Sequence, residues 1–193
     1  YRQPALVERY LPGREFTVGL IGNARYSGAN RRSEIYDEGG FHLFPVLEID
    51  ATVGAGRGVY NTASKSYDPG EEGAPHYLCP ADIPTTLEME LKRLTVEAFE
   101  AIEALDVGRV VFRMGRDGRP YLLEINTLPG LNPRVSDLCI MAQAEGFDYA
   151  DLINEILNLA LDRHQQVGET RRRTDELFQR SMIRPVAPAW EGL

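Results

Sequence analysis

The stretch that most constrains this chain is RVVFRMGRDGRPYLLEIN, residues 109–126. Two apolar, strand-like runs, 109–114 and 120–125, flank Gly115-Arg116-Asp117-Gly118. Asp-Gly between such runs is a strong hairpin signal, because its backbone twist matches the twist of the strands it joins. A hairpin joins antiparallel neighbours, so a sheet grown around it is antiparallel there. Side chains two apart on a strand share a face. Glu124 and Asn126 therefore point the same way, and Tyr121, Leu123 and Ile125 are expected to enter a core on the other side. A carboxylate and a carboxamide oxygen on one face are hard donors, suited to Mg²⁺ that also holds phosphate oxygens. The same two residues on a bare edge would be a solvated polar face.

Further strands are expected at 5–10, 15–23 and 44–49, with Pro12-Gly13 as turn chemistry between the first two. Residues 24–42 are rich in Arg, Ser, Asn, Asp and Gly and read as a long polar loop. Residues 54–76 are glycine-rich and read as a mobile, functional loop. Thr85 is placed to cap a helix, with Glu88 as its reciprocal partner. Leu87, Leu91, Leu94, Ala98, Ile102 and Leu105 then recur at helical spacing. Helices are expected near 136–145 and 149–163, the second burying Leu152, Ile153, Ile156, Leu157 and Ala160. A polar segment at 169–182 reads as a surface helix, and 184–193 as a loose tail.

With 193 residues the chain fits one domain or one lobe of something larger. Its net charge of −8 argues against a general nucleic-acid binder, which needs a basic surface to displace counterions. No apolar run approaches the length of a membrane span, and Tyr1-Arg2-Gln3-Pro4 has no signal-peptide character. Cys79 and Cys139 look like semi-buried residues of a reducing compartment, although sequence alone leaves a disulfide between them open. A cytoplasmic protein without nucleic-acid or membrane partners is expected. The absence of an initiator Met and the early apolar run at Ala5-Leu6-Val7 suggest a chain that begins inside a domain.

Residues 109–131 (RVVFRMGRDGRPYLLEINTLPGL) closely resemble the C-terminal core of ATP-grasp enzymes, and among them the D-alanine–D-alanine ligase family. Residues 7–17 (VERYLPGREFT) resemble that family's hinge segment, 60–65 and His76-Tyr77-Leu78-Cys79-Pro80 its mobile loop and the strand beyond it, and NPRVSD (132–137) its substrate-carboxylate loop. The resemblance covers roughly residues 5–162. It implies an α+β fold: an ATP-grasp C-terminal lobe with a mainly antiparallel sheet, helices packed on one face, and nucleotide and metals on the other. The domain would occupy 1–163, followed by a partly helical extension at 164–193.

The resemblance also implies a chemistry. Family members activate one amino-acid carboxylate with ATP to give an acyl phosphate, and the amine of a second amino acid attacks it, as in peptidoglycan biosynthesis. By correspondence, Glu124 would bridge two Mg²⁺ ions and Asn126 would ligate the second. Arg109 and the backbone N–H of Gly130 would stabilise the developing oxyanion. Ser136 would bind the second substrate's carboxylate, and Lys65 would reach the ATP phosphates. Glu15 would accept from the ribose, and Glu8, the carbonyl of Arg9 and the N–H of Leu11 would contact the adenine. Bland alternatives stand beside these roles: a solvated Lys65, a strand-edge Glu15, a Ser136 that caps the next helix, and a structural Arg109–Glu124 ion pair. The resemblance allows a homodimer.

One position departs from the pattern. The family usually carries Asp two residues after the strand arginine, as a ligand of the first Mg²⁺, and here that residue is Val111. The alternatives are one well-held metal, a carboxylate from elsewhere, or a degenerate nucleotide-binding or interaction module without ligase activity. A ligase for a different amino acid is a further alternative. The chain reads as the C-terminal part of such an enzyme, expected not to catalyse ligation alone.

Overall fold

In the computed structural model, the described residues are 3–24, 33–50, 52–54 and 70–182. The elements are β1 (Glu15–Gly22), β2 (Phe41–Leu43), β3 (Leu47–Asp50), β4 (His76–Leu78), α1 (Thr85–Ala101), β5 (Val107–Met114), β6 (Pro120–Asn126), α2 (Asp137–Ala144) and α3 (Tyr149–Met182). One sheet runs β4-β3-β1-β5-β6, with β2 also pairing β1, and every pairing is antiparallel. The expected α+β, mainly antiparallel class holds.

Strand β1 is the centre, buried along its whole length. Its alternate residues serve two cores. Phe16 and Val18 join Val110, Phe112 and Leu91 of α1 on one face. Ile21 joins Phe44, Leu47, Val107 and residues of α2 and α3 on the other. The helices thus divide between the faces: α1 covers one, and α2 with α3 cover only one end of the opposite face. The uncovered remainder is where the polar residues of β1, β5 and β6 lie.

The hairpin forms as its sequence dictates, with Gly118 at a φ of 74° where L side chains are strained. A bulge between Val111 and Phe112 shifts the register, so Glu124 sits opposite Val111 and Asn126 opposite Arg109. The bulge breaks the period-2 alternation. Tyr121 and Leu123 consequently stay 41% and 49% exposed rather than entering a core, whereas Ile125 packs against the α1 cluster.

Other expectations need correction. Residues 5–10 form no strand: Leu6 and Val7 are exposed, and regular pairing starts only where Gly13 N–H donates to the Met114 carbonyl at 3.0 Å. The strand expected at 44–49 is two strands, because Phe44-Pro45-Val46 lets the chain leave the second half of β1 as β2 and rejoin its first half as β3. Thr85 does not cap α1. Pro84 holds that position, and Glu88 pairs instead with Lys92 at 2.8 Å. The buried stripe of α1 is Leu91, Thr95 and Phe99. Glu103 and Asp106 turn left-handed after the helix, so Ile102 and Leu105 fall outside that stripe, 52% and 41% exposed. In α3 the buried positions include Leu152, Glu155, Leu159 and Asp162, and Leu157 is 55% exposed. The polar segment 169–182 is the continuation of α3.

Candidate functional site

Glu15, Thr17 and Gly19 of β1 lie directly opposite Arg113, Val111 and Arg109 of β5, and Glu124 and Asn126 of β6 continue the same rows. These residues share one face by strand alternation. Arg109 and Arg113 are four residues apart on β5, which places them about 13 Å from one another along the strand.

Arg109 is buried and held from three elements. Its guanidinium donates to Thr17 Oγ1 at 3.2 Å and to Glu124 Oε1 at 3.4 Å, and lies 3.3 Å from Asp137 Oδ2. Thr17 Oγ1 in turn donates to the Val110 carbonyl at 3.1 Å, which fixes the hydroxyl's orientation. Glu124 remains 57% exposed at its side chain and can turn outward. Asn126 Oδ1 accepts from Leu128 N–H at 3.0 Å, an Asx turn that aims the carboxamide. A carboxamide oxygen has two lone pairs, so one is left for a ligand.

The loop after β6 brings two expected site residues together. A Cβ built on Gly130 would meet Ser136 Oγ at 2.7 Å. Ser136 stands at the N-cap position of α2, yet its hydroxyl makes no cap bond; it accepts from Asn132 N–H at 2.9 Å. Tyr149 of α3 donates to the Leu131 carbonyl at 3.0 Å and ties the same loop down.

At the far end of the face, Glu15 and Arg113 form a buried ion pair at 3.0 Å, with the Tyr10 ring over the guanidinium. They line a cavity of about 390 Å³ with Pro12, Arg14, Glu48 and Asp50. Arg14 is fixed there by Glu48 at 2.6 Å, a bond that raises the arginine's pKa. Glu8 and Arg9 are exposed on the segment before β1 and do not line this cavity. Leu11 is half-buried beside it in the chain. Lys65, with the rest of 60–65, lies outside the described residues.

The donor set suits one magnesium ion better than two. Mg²⁺ is commonly bound through one or two carboxylates plus phosphates and water. Glu124 and Asn126 meet that need, but Val111, buried between Thr17 and Glu124, supplies no oxygen. Among the described residues no group of three or more His, Cys, Asp or Glu could hold a metal. Sequence reasoning missed Thr17, Arg113 and Asp137. Alternation from Glu15 and Arg109 would have found the first two; no local signal points Asp137 at Arg109. Cys79 and Cys139 are both free thiols packed in or against the apolar cluster of Ile21, and burial together with Glu145 pushes Cys79 up to about 11.

Comparisons with known proteins establish the fold and the family. The D-alanine–D-alanine ligase of Coxiella burnetii superposes with a TM-score of 0.64 at 18% identity, covering 89% of this chain and 38% of that one. The Bacillus anthracis ligase, solved in complex with ATP, gives 0.56 at 21% identity, covering 82% and 42%. The fold is therefore that of the C-terminal ATP-grasp lobe of such ligases. A family model described as D-ala D-ala ligase C-terminus matches residues 1–158, and the chain belongs to that family. Uncharacterized protein y4sG of Sinorhizobium fredii is 35% identical over 164 residues, 85% of this chain and 43% of that protein. The D-alanine–D-alanine ligase of Bordetella petrii is 32% identical over 155 residues, 80% of this chain and 40% of that protein. The chain thus spans about two fifths of the length of the curated relatives it matches. Among the described residues no helix is long and apolar enough to cross a membrane.

Proposed function

We propose that this chain contributes the catalytic face of an ATP-dependent carboxylate–amine ligase. One substrate carboxylate takes the γ-phosphoryl group of ATP, giving an acyl phosphate and ADP. The amine of a second amino acid then attacks the acyl carbon, phosphate leaves, and an amide bond remains. The observation that carries this reading is Arg109, buried and braced by Thr17, Glu124 and Asp137 on a face that also presents Asn126. Phosphoryl transfer is mostly positioning and charge neutralisation, which suits a fixed cation beside hard oxygen donors.

Glu124 and Asn126 would hold the magnesium ion that neutralises phosphate charge. Arg109 would stabilise the oxyanion formed when the amine attacks, because a preorganised donor there costs no reorganisation. The Gly130 N–H would assist Arg109 at the oxyanion, and Ser136, close beside it, would receive the second substrate's carboxylate. The Glu15–Arg113 cavity would take the nucleoside, with the triphosphate running along the face towards Arg109.

The test is magnesium-dependent ATP binding and amino-acid-dependent ADP release by the full-length protein. Arg109→Met is expected to lower kcat about 100-fold or more while leaving ATP affinity within a few-fold. Unchanged turnover in that variant would overturn the proposal. Val111 favours a second reading, a nucleotide-binding module without ligase activity. ATP binding with no ADP release for any pair of amino acids would select it.

A further inference from the structure

We infer that Asp137 is the standing counter-ion of Arg109, and that it frees Glu124 to bind a divalent cation. Asp137 is the first residue of α2, directly after Ser136, and only 9% exposed. Its Oδ2 lies 3.3 Å from Arg109, while Glu124 reaches the same guanidinium from the other side at 3.4 Å. The two carboxylates differ in setting: Asp137 is shut in, and Glu124 is 57% exposed at its side chain. A carboxylate at a helix N-terminus is favoured by the backbone dipoles, so Asp137 is a stable anion in its place.

The consequence is electrostatic. A buried arginine cannot be left without a counter-charge. Were Glu124 the main partner, turning it towards a cation would strip Arg109 of neutralisation, and binding would carry that cost. With Asp137 in place, Glu124 can leave while Arg109 stays paired and oriented by Thr17. Asp137 also links α2, which carries Ser136, to the arginine on β5, so the amine-side loop and the phosphate-side strand are positioned together. Asp137 is a positioning residue that touches neither substrate nor metal.

This inference rests on Glu124 being a cation ligand, and the experiment separates the two. Magnesium-dependent ATP affinity is measured by calorimetry on the full-length protein for Glu124→Gln, Asp137→Asn, Asp137→Glu and Arg109→Met/Asp137→Asn, with melting temperature recorded for each. Substitutions of partners that orient a metal ligand typically lower metal affinity about 10- to 100-fold, and that loss is expected for Asp137→Asn at saturating-fold temperatures. Asp137→Glu should recover most of it. Removing the Arg109 charge in the double variant should also recover it, because no cation then competes for Glu124. Loss of affinity in Glu124→Gln but wild-type affinity in a folded Asp137→Asn would overturn the inference alone. Wild-type affinity in Glu124→Gln would overturn the ligand assignment beneath it. A melting-temperature loss in Asp137→Asn without an affinity change would mark a purely structural residue and also overturn it.

Discussion

Position 130 has no room for a side chain, and the neighbour that excludes it is a single hydroxyl. A Cβ at Gly130 would sit 2.7 Å from Ser136 Oγ but 3.6 Å from Ser136 Cβ. Rotating the hydroxyl away would forfeit the bond from Asn132 N–H. Gly130→Ala is therefore expected to cost about 1–2 kcal/mol by overpacking, read as a drop of roughly 2–8 °C in melting temperature. Gly130→Ala/Ser136→Ala should be no less stable than Ser136→Ala alone, because the clashing atom is gone. A Gly130→Ala protein that melts with the wild type would disprove the contact. At this scale the sequence was legible where geometry is local: strand alternation alone put Glu124 and Asn126 on one face, while their reading as metal ligands came from the family resemblance. Asp137 was not, because its meeting with Arg109 depends on how α2 docks against β5 and on nothing within either segment.

At the scale of elements, the hairpin and α1 could be read because turn chemistry and helical spacing are local properties. What could not be read depends on partners. Residues 5–10 have strand composition, yet among the described residues nothing pairs with them. The bulge in β6 redirects Tyr121 and Leu123 by one residue, a change invisible to period-2 counting. The stripe of α3 includes Glu155, which accepts from Tyr36 at 2.7 Å, and Asp162, so a search for apolar spacing misplaces it. The docking of α3 has its own polar anchor. Asp106 accepts three bonds from Arg163, the shortest at 2.7 Å, and a fourth from Asn23 Nδ2 at 2.7 Å. Asp106→Ala would leave both donors without that partner and place alanine at a φ of 67°. A loss of about 2–3 kcal/mol is expected from the charged bonds, measured as a lower urea midpoint. Asp106→Asn, which tolerates the left-handed backbone and keeps an acceptor oxygen, should lose less. Equal midpoints for Asp106→Ala and the wild type would show that α3 is held by its apolar contacts alone.

At the scale of the whole molecule, a net charge of −8 and a proposed polyanionic ligand are compatible because the relevant field is local. Arg113 and Arg109 mark the two ends of one face, and a magnesium ion at Glu124 would add positive charge between nucleotide and protein. The same face is open. Glu124 is 57% exposed at its side chain, and Tyr121, opposite Arg113 on the same face, leaves apolar surface uncovered as well. An acyl phosphate formed on an open face would meet water before it met an amine, since ligases of this kind must exclude solvent to favour aminolysis. The chain spans 43% and 40% of two relatives it matches, so those proteins hold further chain that could close over such a surface. The 193-residue chain by itself is therefore expected to release no ADP above background when given ATP, magnesium and pairs of amino acids in a coupled assay. Weak magnesium-dependent ATP binding should survive, because the Glu15–Arg113 cavity and the Arg109 site both lie within it. Sustained amino-acid-dependent turnover by this chain alone would show that the open face already excludes enough water, and would refute the need for a covering segment.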